Sequence, residues 1–371
     1  MSVFWNSRVR SLKPYLPGEQ PRDRKFIKLN TNENPYPPSP RVTEAIARTA
    51  GADLRLYPDP ASTALREAIA ERTGVRPEQV FAGNGSDEVL AFVFAAFFEN
   101  GGTAEPVLFP DITYSFYPVY ARLWGVPFET VPLSAGFTLD LSAYRRPSGG
   151  VIFPNPNAPT GILHDPAELL LLARDLAARN RVLVVDEAYG VFAPGTGKAA
   201  FPLSGAASLL PYINEYPNIL TVHTFSKAGS LAGLRAGFAA GSEPLIAALC
   251  RVRDSFNSYP LDALAAAGAE AAARDGEYYA ETTARIIGTR ERTVSALRDR
   301  GFEVLPSAAN FMFIRRPGKS GAALFAGLRK RGILARHFNG PRTADFLRVS
   351  AGTDSDMDFF VQAITETLEE T

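Results

Sequence analysis

The chain has 371 residues, long enough that two domains are expected. Lys plus Arg and Asp plus Glu number 39 each, so there is no basic excess of the kind a nucleic-acid binder carries. A single cysteine, Cys250, excludes an intrachain disulfide, and His164, His223 and His337 lie too far apart for metal-ligand spacing.

The first ~28 residues mix basic residues, prolines and aromatics without periodicity and read as an arm. They contain no continuous apolar stretch of the signal-peptide kind, and no later run is long enough to cross a membrane. A cytoplasmic chain with neither membrane nor nucleic acid as partner is the expectation. "KLNTNENPYPPSP" follows, a loop whose prolines forbid regular structure. From about residue 40 to 240, helical stretches such as "STALREAIAERTG" and "DPAELLLLARDLAARN" alternate with short apolar runs. The runs are "QVFAGNG", "PVLFP", "GVIFPNP", "RVLVVDEAY", "NILTVHTF" and "RAGFAAG". That alternation predicts an α/β domain with a mostly parallel sheet covered by helices on both faces. Residues ~243–300 read as long helices. Beyond them, "FEVLPSAANFMFIRR" and "DFLRVSAG" read as strands, with "SGAALFAGLRKRG" and the last dozen residues as helices. A smaller α+β domain is expected there. The expected division is an arm over 1–28 packing with the small domain, a large domain over 29–265 and a small domain over 266–371.

Ligands of open α/β sheets bind beyond the carboxyl ends of the strands, so the residues after each apolar run carry the information. "AGNGSDEVL" offers two turn glycines and then Ser86 and Asp87 at a helix start, a cap or a phosphate site. "PNPNAPTG" puts Asn157 in a strand-end loop, where it is a turn residue or a hydrogen-bond donor. "DEAY" ends the most apolar strand with Asp186, a carboxylate expensive to bury without a positive partner, and adds the phenol of Tyr189. "TFSKAGSLAGLR" places Thr224, Ser226, Lys227 and Arg235 in a small-residue loop. One ligand matches all four ends. Its phosphate suits the helix start, the hydroxyls and Arg235, and its ring nitrogen suits Asp186. Its phenolic oxygen suits Asn157 and Tyr189, and its aldehyde suits Lys227. That ligand is pyridoxal 5'-phosphate.

The succession "GNGSDE", "NPNAPTG", "DEAY", "SKAGSLAGLR", "LRVSAGT" resembles the fold-type I pyridoxal-phosphate aminotransferases. "LNTNENPYPPSP" followed by "RLYPDP" is similar to the histidinol-phosphate aminotransferase family, and the likeness runs from about Tyr15 to the end. The resemblance implies a seven-stranded sheet in the large domain and a homodimer. It implies that Lys227 binds the cofactor covalently, that Asp186 pairs with the ring nitrogen and that Asn157 and Tyr189 meet the phenolic oxygen. It further implies that Ser86, Asp87, Thr224, Ser226 and Arg235 surround the phosphate and that Tyr114 stacks on the ring. Tyr57 is implied to reach the partner subunit's cofactor. Arg348 is implied to hold the substrate's terminal anion, with Arg336 and Tyr15 helping to bind a substrate phosphate. The expected reaction is transamination between histidinol phosphate and 2-oxoglutarate in histidine biosynthesis. Aromatic amino acid transamination and threonine-phosphate decarboxylation stay open, because those families share much of the set. Two departures bear on the substrate pocket: Ile112 where proline is usual, and Gly229 where a bulky residue is usual.

Overall fold

The computed structural model describes residues 3–21, 24–194 and 205–370, so parts of the expected arm lie outside the described residues. In chain order the helices are α1 (Ser7–Ser11), α2 (Pro40–Thr49), α3 (Thr63–Thr73), α4 (Gly85–Phe97), α5 (Tyr117–Trp124), α6 (Pro166–Ala177), α7 (Glu243–Phe256), α8 (Ala263–Arg274), α9 (Gly276–Arg298), α10 (Gly321–Lys330) and α11 (Asp354–Glu370). The strands are β1 (Ile27–Lys28), β2 (Val80–Gly83), β3 (Val107–Pro110), β4 (Phe128–Val131), β5 (Gly150–Pro154), β6 (Leu183–Asp186), β7 (Ile219–Thr224), β8 (Gly237–Gly241), β9 (Glu303–Val304), β10 (Phe311–Arg315), β11 (Ile333–Leu334), β12 (Arg336–His337) and β13 (Leu347–Ser350).

Seven strands form one sheet in the order β2-β8-β7-β6-β5-β3-β4. All its pairings are parallel except those of β8, which runs against both β2 and β7. The α/β expectation with a mostly parallel seven-stranded sheet is therefore met. β6 is buried along its whole length, and its side chains divide by parity. Val184 packs with α4, α5 and α7 residues such as Leu90, Tyr117 and Leu249. Leu183 and Val185 pack with Leu169, Leu172 and Leu176 of α6. A strand covered on both faces has no polar side to show, which is why "RVLVV" is unbroken. α6 is set by local chemistry as well: Asp165 accepts from the Ala167 N–H at 2.9 Å, Pro166 opens the first turn, and leucines recur on the sheet-facing side.

A second sheet, β12-β13-β10-β9, is antiparallel and packs with α9, α10 and α11 around its own apolar core of Leu297, Met312, Leu328, Val349 and Phe360. β1, at the end of the arm, pairs in parallel with β11.

Because β8 is reversed, its first residue, Gly237, lies at the same sheet edge as the carboxyl ends of its neighbours. A Cβ on Gly237 would stand 2.4 Å from the backbone nitrogen of Ser86. Neither backbone can yield freely there, so Gly237→Ala is expected to lower stability by about 1–3 kcal/mol, read as a reduced urea midpoint at unchanged m-value.

Candidate active site

One pocket at the carboxyl edge of the large sheet is lined by Ser86, Asp87, Tyr114, Asp186, Tyr189, Thr224, Ser226, Lys227 and Arg235. These come from the ends of β2, β6 and β7, the start of β8 and the loop before α5.

The phosphate end is built on α4. Gly85, its first residue, has φ +77°, and a Cβ there would lie 2.6 Å from Arg235 Nη2. Gly85 and Gly237 thus leave room that a methyl group would fill, beside free helix N–H groups. Arg235 Nη2 donates to Asp87 Oδ2 at 2.7 Å, and Nη1 donates to Ser226 Oγ at 3.3 Å. Asp87 Oδ1 accepts from the Tyr114 hydroxyl at 2.7 Å. Asp87 therefore fixes an arginine and a phenol. The direct contact expected with a phosphate falls to the neighbouring amides, hydroxyls and Arg235, because a carboxylate and a phosphate repel.

The opposite end is Asp186. It shares the parity of Val184 and so faces α5, where Tyr117 Oη donates to its Oδ2 at 3.3 Å and the Ala188 N–H donates to its Oδ1 at 3.1 Å. Burial pushes the Asp186 carboxyl up to about 6, from an ordinary value of 3.8. Burial, followed by the charge of Asp186, lifts Tyr117 well above the ordinary phenol range, so it remains a donor.

Lys227 Nζ donates to the Thr31 carbonyl at 3.0 Å and lies 5.8 Å from the centre of the Tyr189 ring. Tyr189 Oη accepts from Asn32 Nδ2 at 2.9 Å. Thr224 Oγ1 accepts from the Ser226 N–H at 3.1 Å, which holds the loop in which Lys227 sits. Asn157 is turned differently from the expectation. Its amide nitrogen donates to the Ile112 carbonyl and Thr160 Oγ1, both at 3.0 Å, and its buried Oδ1 is left without a partner. The unpaired end is thus an acceptor, where the sequence suggested a donor.

Arg348 and Arg336 stand directly opposite each other across β13 and β12. Arg348 Nη2 donates to the Asn30 carbonyl at 2.9 Å, and its buried Nε has no partner. The Arg348 guanidinium lies 5.4 Å from the Phe311 ring, which meets the Tyr189 ring edge-on at 5.0 Å. Arg336 donates to the Leu16 carbonyl at 3.3 Å, and Tyr15 packs on Phe116 with ring centres 4.6 Å apart. Tyr57 is outside this group: it is 81% exposed and stacks on Tyr259 at 4.5 Å.

Sequence reasoning missed Asn32, Asn34 and Tyr117. Asn34 Nδ2 donates to the carbonyls of Lys227 and Ala228 at 3.1 Å each. The density of asparagines in "LNTNENP" and the tyrosine three places after Tyr114 were the available signals.

A buried carboxylate without a salt bridge among the described residues, a lysine amine lining the same pocket and a glycine-lined cradle with an arginine fit pyridoxal phosphate. Asp186 also sets a pH dependence. Its folded pKa lies above its unfolded one, so its stabilising contribution is present below pH ~4 and is lost as pH rises through ~6. In cofactor-stripped protein, Asp186→Asn is expected to match the parent near pH 4. It is expected to exceed the parent by on the order of 2–3 kcal/mol at pH 8, read by urea unfolding at both values.

The family model described as aminotransferase class I and II matches residues 24–364. Histidinol-phosphate aminotransferase 1 of Bradyrhizobium diazoefficiens is 53% identical over 367 residues, covering 99% of each chain. Histidinol-phosphate aminotransferase 2 of Rhizobium meliloti is 51% identical, covering 99% of this chain and 100% of that one. The solved structure of histidinol-phosphate aminotransferase from Sinorhizobium meliloti in complex with pyridoxal-5'-phosphate superposes with a TM-score of 0.87 at 27% identity, covering 100% of this chain and 99% of that one. The chain belongs to the class I and II aminotransferase family, in its histidinol-phosphate aminotransferase branch.

Proposed function

We propose that this pyridoxal-phosphate-dependent aminotransferase moves the amino group of histidinol phosphate to 2-oxoglutarate, in histidine biosynthesis. The observation that carries the substrate is the facing pair Arg336 and Arg348. Like charges directly opposite on paired strands are unfavourable without an anion between them. Neither arginine forms an ion pair with a carboxylate among the described residues. Burial pulls Arg348 below its ordinary value, and the charge of Arg336 acts in the same direction. A phosphate monoester, a dianion with several acceptor oxygens, suits two guanidinium forks. The names of the relatives at 53% and 51% identity support the same substrate.

Bound pyridoxal phosphate supplies an aldehyde for a lysine amine and a ring that takes up electrons from the substrate's α-carbon. The chain does the rest. Arg235, Ser226 and the first amides of α4 hold the phosphate, with Ser86 at the helix start. Asp186, ionised, favours a proton on the ring nitrogen, and Tyr117 keeps that carboxylate in place. Asp87 accepts from the Tyr114 hydroxyl, and the ring so anchored would stack on the cofactor. Lys227 Nζ accepts the α-proton when it is free and returns it to a neighbouring atom. The Tyr189 hydroxyl would donate to the phenolic oxygen, and Asn157 would have to turn its amide to do the same.

The reading includes a cytoplasmic homodimer in which Tyr57 serves the partner's site. Its support is the exposed apolar patch of Leu54, Leu56, Tyr57, Phe256 and Tyr259. No helix among the described residues is long and apolar enough to cross a membrane. The reading also divides the chain near residue 265; the second sheet has its own apolar core, while α8 and the start of α9 share a core with α2 and α3.

Side-by-side assays with histidinol phosphate, phenylalanine and phosphothreonine test the substrate. Histidinol phosphate is expected to have the highest kcat/KM; a higher value for phenylalanine, or release of carbon dioxide from phosphothreonine, would overturn the assignment. Arg336→Gln is expected to raise KM for histidinol phosphate by about 10–100-fold with kcat little changed, because a forked charge-assisted contact to a phosphate is lost. Lys227→Ala is expected to retain cofactor yet lose turnover, and borohydride should label the parent at Lys227 alone.

A further inference from the structure

The hydrogens of three buried groups can be assigned along one chain of bonds. Asn32 sits in the left-handed region at φ +56°, a conformation asparagine tolerates better than most residues. Its backbone N–H, which can only donate, meets Ser350 Oγ at 2.9 Å. Ser350 accepts there, and Asn32 Oδ1, at 3.0 Å, is the one acceptor that its own hydrogen meets among the described residues. That contact identifies the acceptor end of the Asn32 amide. The other end, Nδ2, is then the donor that meets Tyr189 Oη at 2.9 Å. A phenol that accepts from Asn32 keeps its single hydrogen for a different partner. Asn32 is 1% exposed, Ser350 2% and Tyr189 9%, so water does not compete freely for these positions. Ser350 lies on β13, two residues beyond Arg348.

We infer that Asn32 is a positioning residue that aims the Tyr189 hydroxyl hydrogen into the pocket, toward the phenolic oxygen of bound pyridoxal phosphate. Asn32 takes its own orientation from Ser350, on the strand that presents Arg348. The inference rests on the reading of Tyr189 given above. A donor at the phenolic oxygen would stabilise that oxygen's anion and so favour loss of the proton from Lys227 Nζ where it is joined to the cofactor. A pure acceptor at position 32 would draw the Tyr189 hydrogen away and reverse the effect.

The experiment is a pH titration of the bound cofactor's visible absorbance in the holoenzyme and in Tyr189→Phe, Asn32→Asp, Ser350→Ala and the double variant Asn32→Asp/Tyr189→Phe. Tyr189→Phe and Asn32→Asp are each expected to raise the apparent pKa by about one unit or more, tenfold in proton affinity. The double variant is expected to titrate no higher than Tyr189→Phe, because both changes act on one hydrogen. Ser350→Ala, which frees the Asn32 amide to turn, is expected to give a smaller rise in the same direction. A full additive shift in the double variant would mean that the Asp charge acts by itself, and would overturn the inference. An unshifted Asn32→Asp beside a shifted Tyr189→Phe would also overturn it. A parental titration in Tyr189→Phe would remove the Tyr189 assignment and the inference with it. Should Asn32→Asp fail to hold cofactor, Ser350→Ala decides: a parental titration there overturns the inference.

Discussion

A carboxylate at the end of a fully buried strand is the constraint around which the large sheet is arranged. Asp186 continues the apolar parity of β6 and so ends up against α5 rather than in water. Burying an unpaired charge is unfavourable, and the structure answers with one phenol, one backbone amide and an amine nearby. That answer is incomplete in the protein alone, as the raised proton affinity of Asp186 shows. In the proposed reading a cationic ring nitrogen would complete it, and ligand binding and the relief of a buried charge would be one event at this strand end.

The chain order of the other groups follows from the reversal of β8. A parallel strand in that place would carry Arg235 and Gly237 to the far edge of the sheet. Running antiparallel to β7, it brings them back within a short loop of Lys227. The loop from Asn30 to Asn34 then joins the two sheets. It touches Arg348 through a carbonyl, Lys227 through a carbonyl and an amide, and Tyr189 through Asn32. The groups proposed to meet the substrate and those proposed to meet the cofactor are tied by one stretch of backbone.

Much of this was legible in the sequence, for identifiable reasons. Strands buried on both faces leave continuous apolar runs, and six of the seven in the large sheet are legible as such. β4, "FETV", was not, because it is an edge strand with its central two residues exposed. β1, β11 and β12 have two residues each, too few for any periodicity to register. The site residues at strand ends were legible because each interrupts an apolar run with a costly or reactive side chain. Asn32 was not, because its role depends on Ser350, 318 positions away, and on a backbone conformation that no local pattern announces. The turn of the Asn157 amide was likewise invisible, since it is decided by the Ile112 carbonyl.

Lys227 and Arg235 share one hairpin of the large sheet, while Arg336 and Arg348 share a pair of strands in the other sheet. Sequence change can therefore be absorbed unequally. A change on β12 or β13 would reach the proposed substrate arginines first, and the cofactor only through Ser350 and Asn32. A change on the hairpin would reach cofactor retention first, whatever the substrate. This separation makes the fold a permissive starting point for new specificities, with the loop around Asn32 as the part that must stay compatible with both halves.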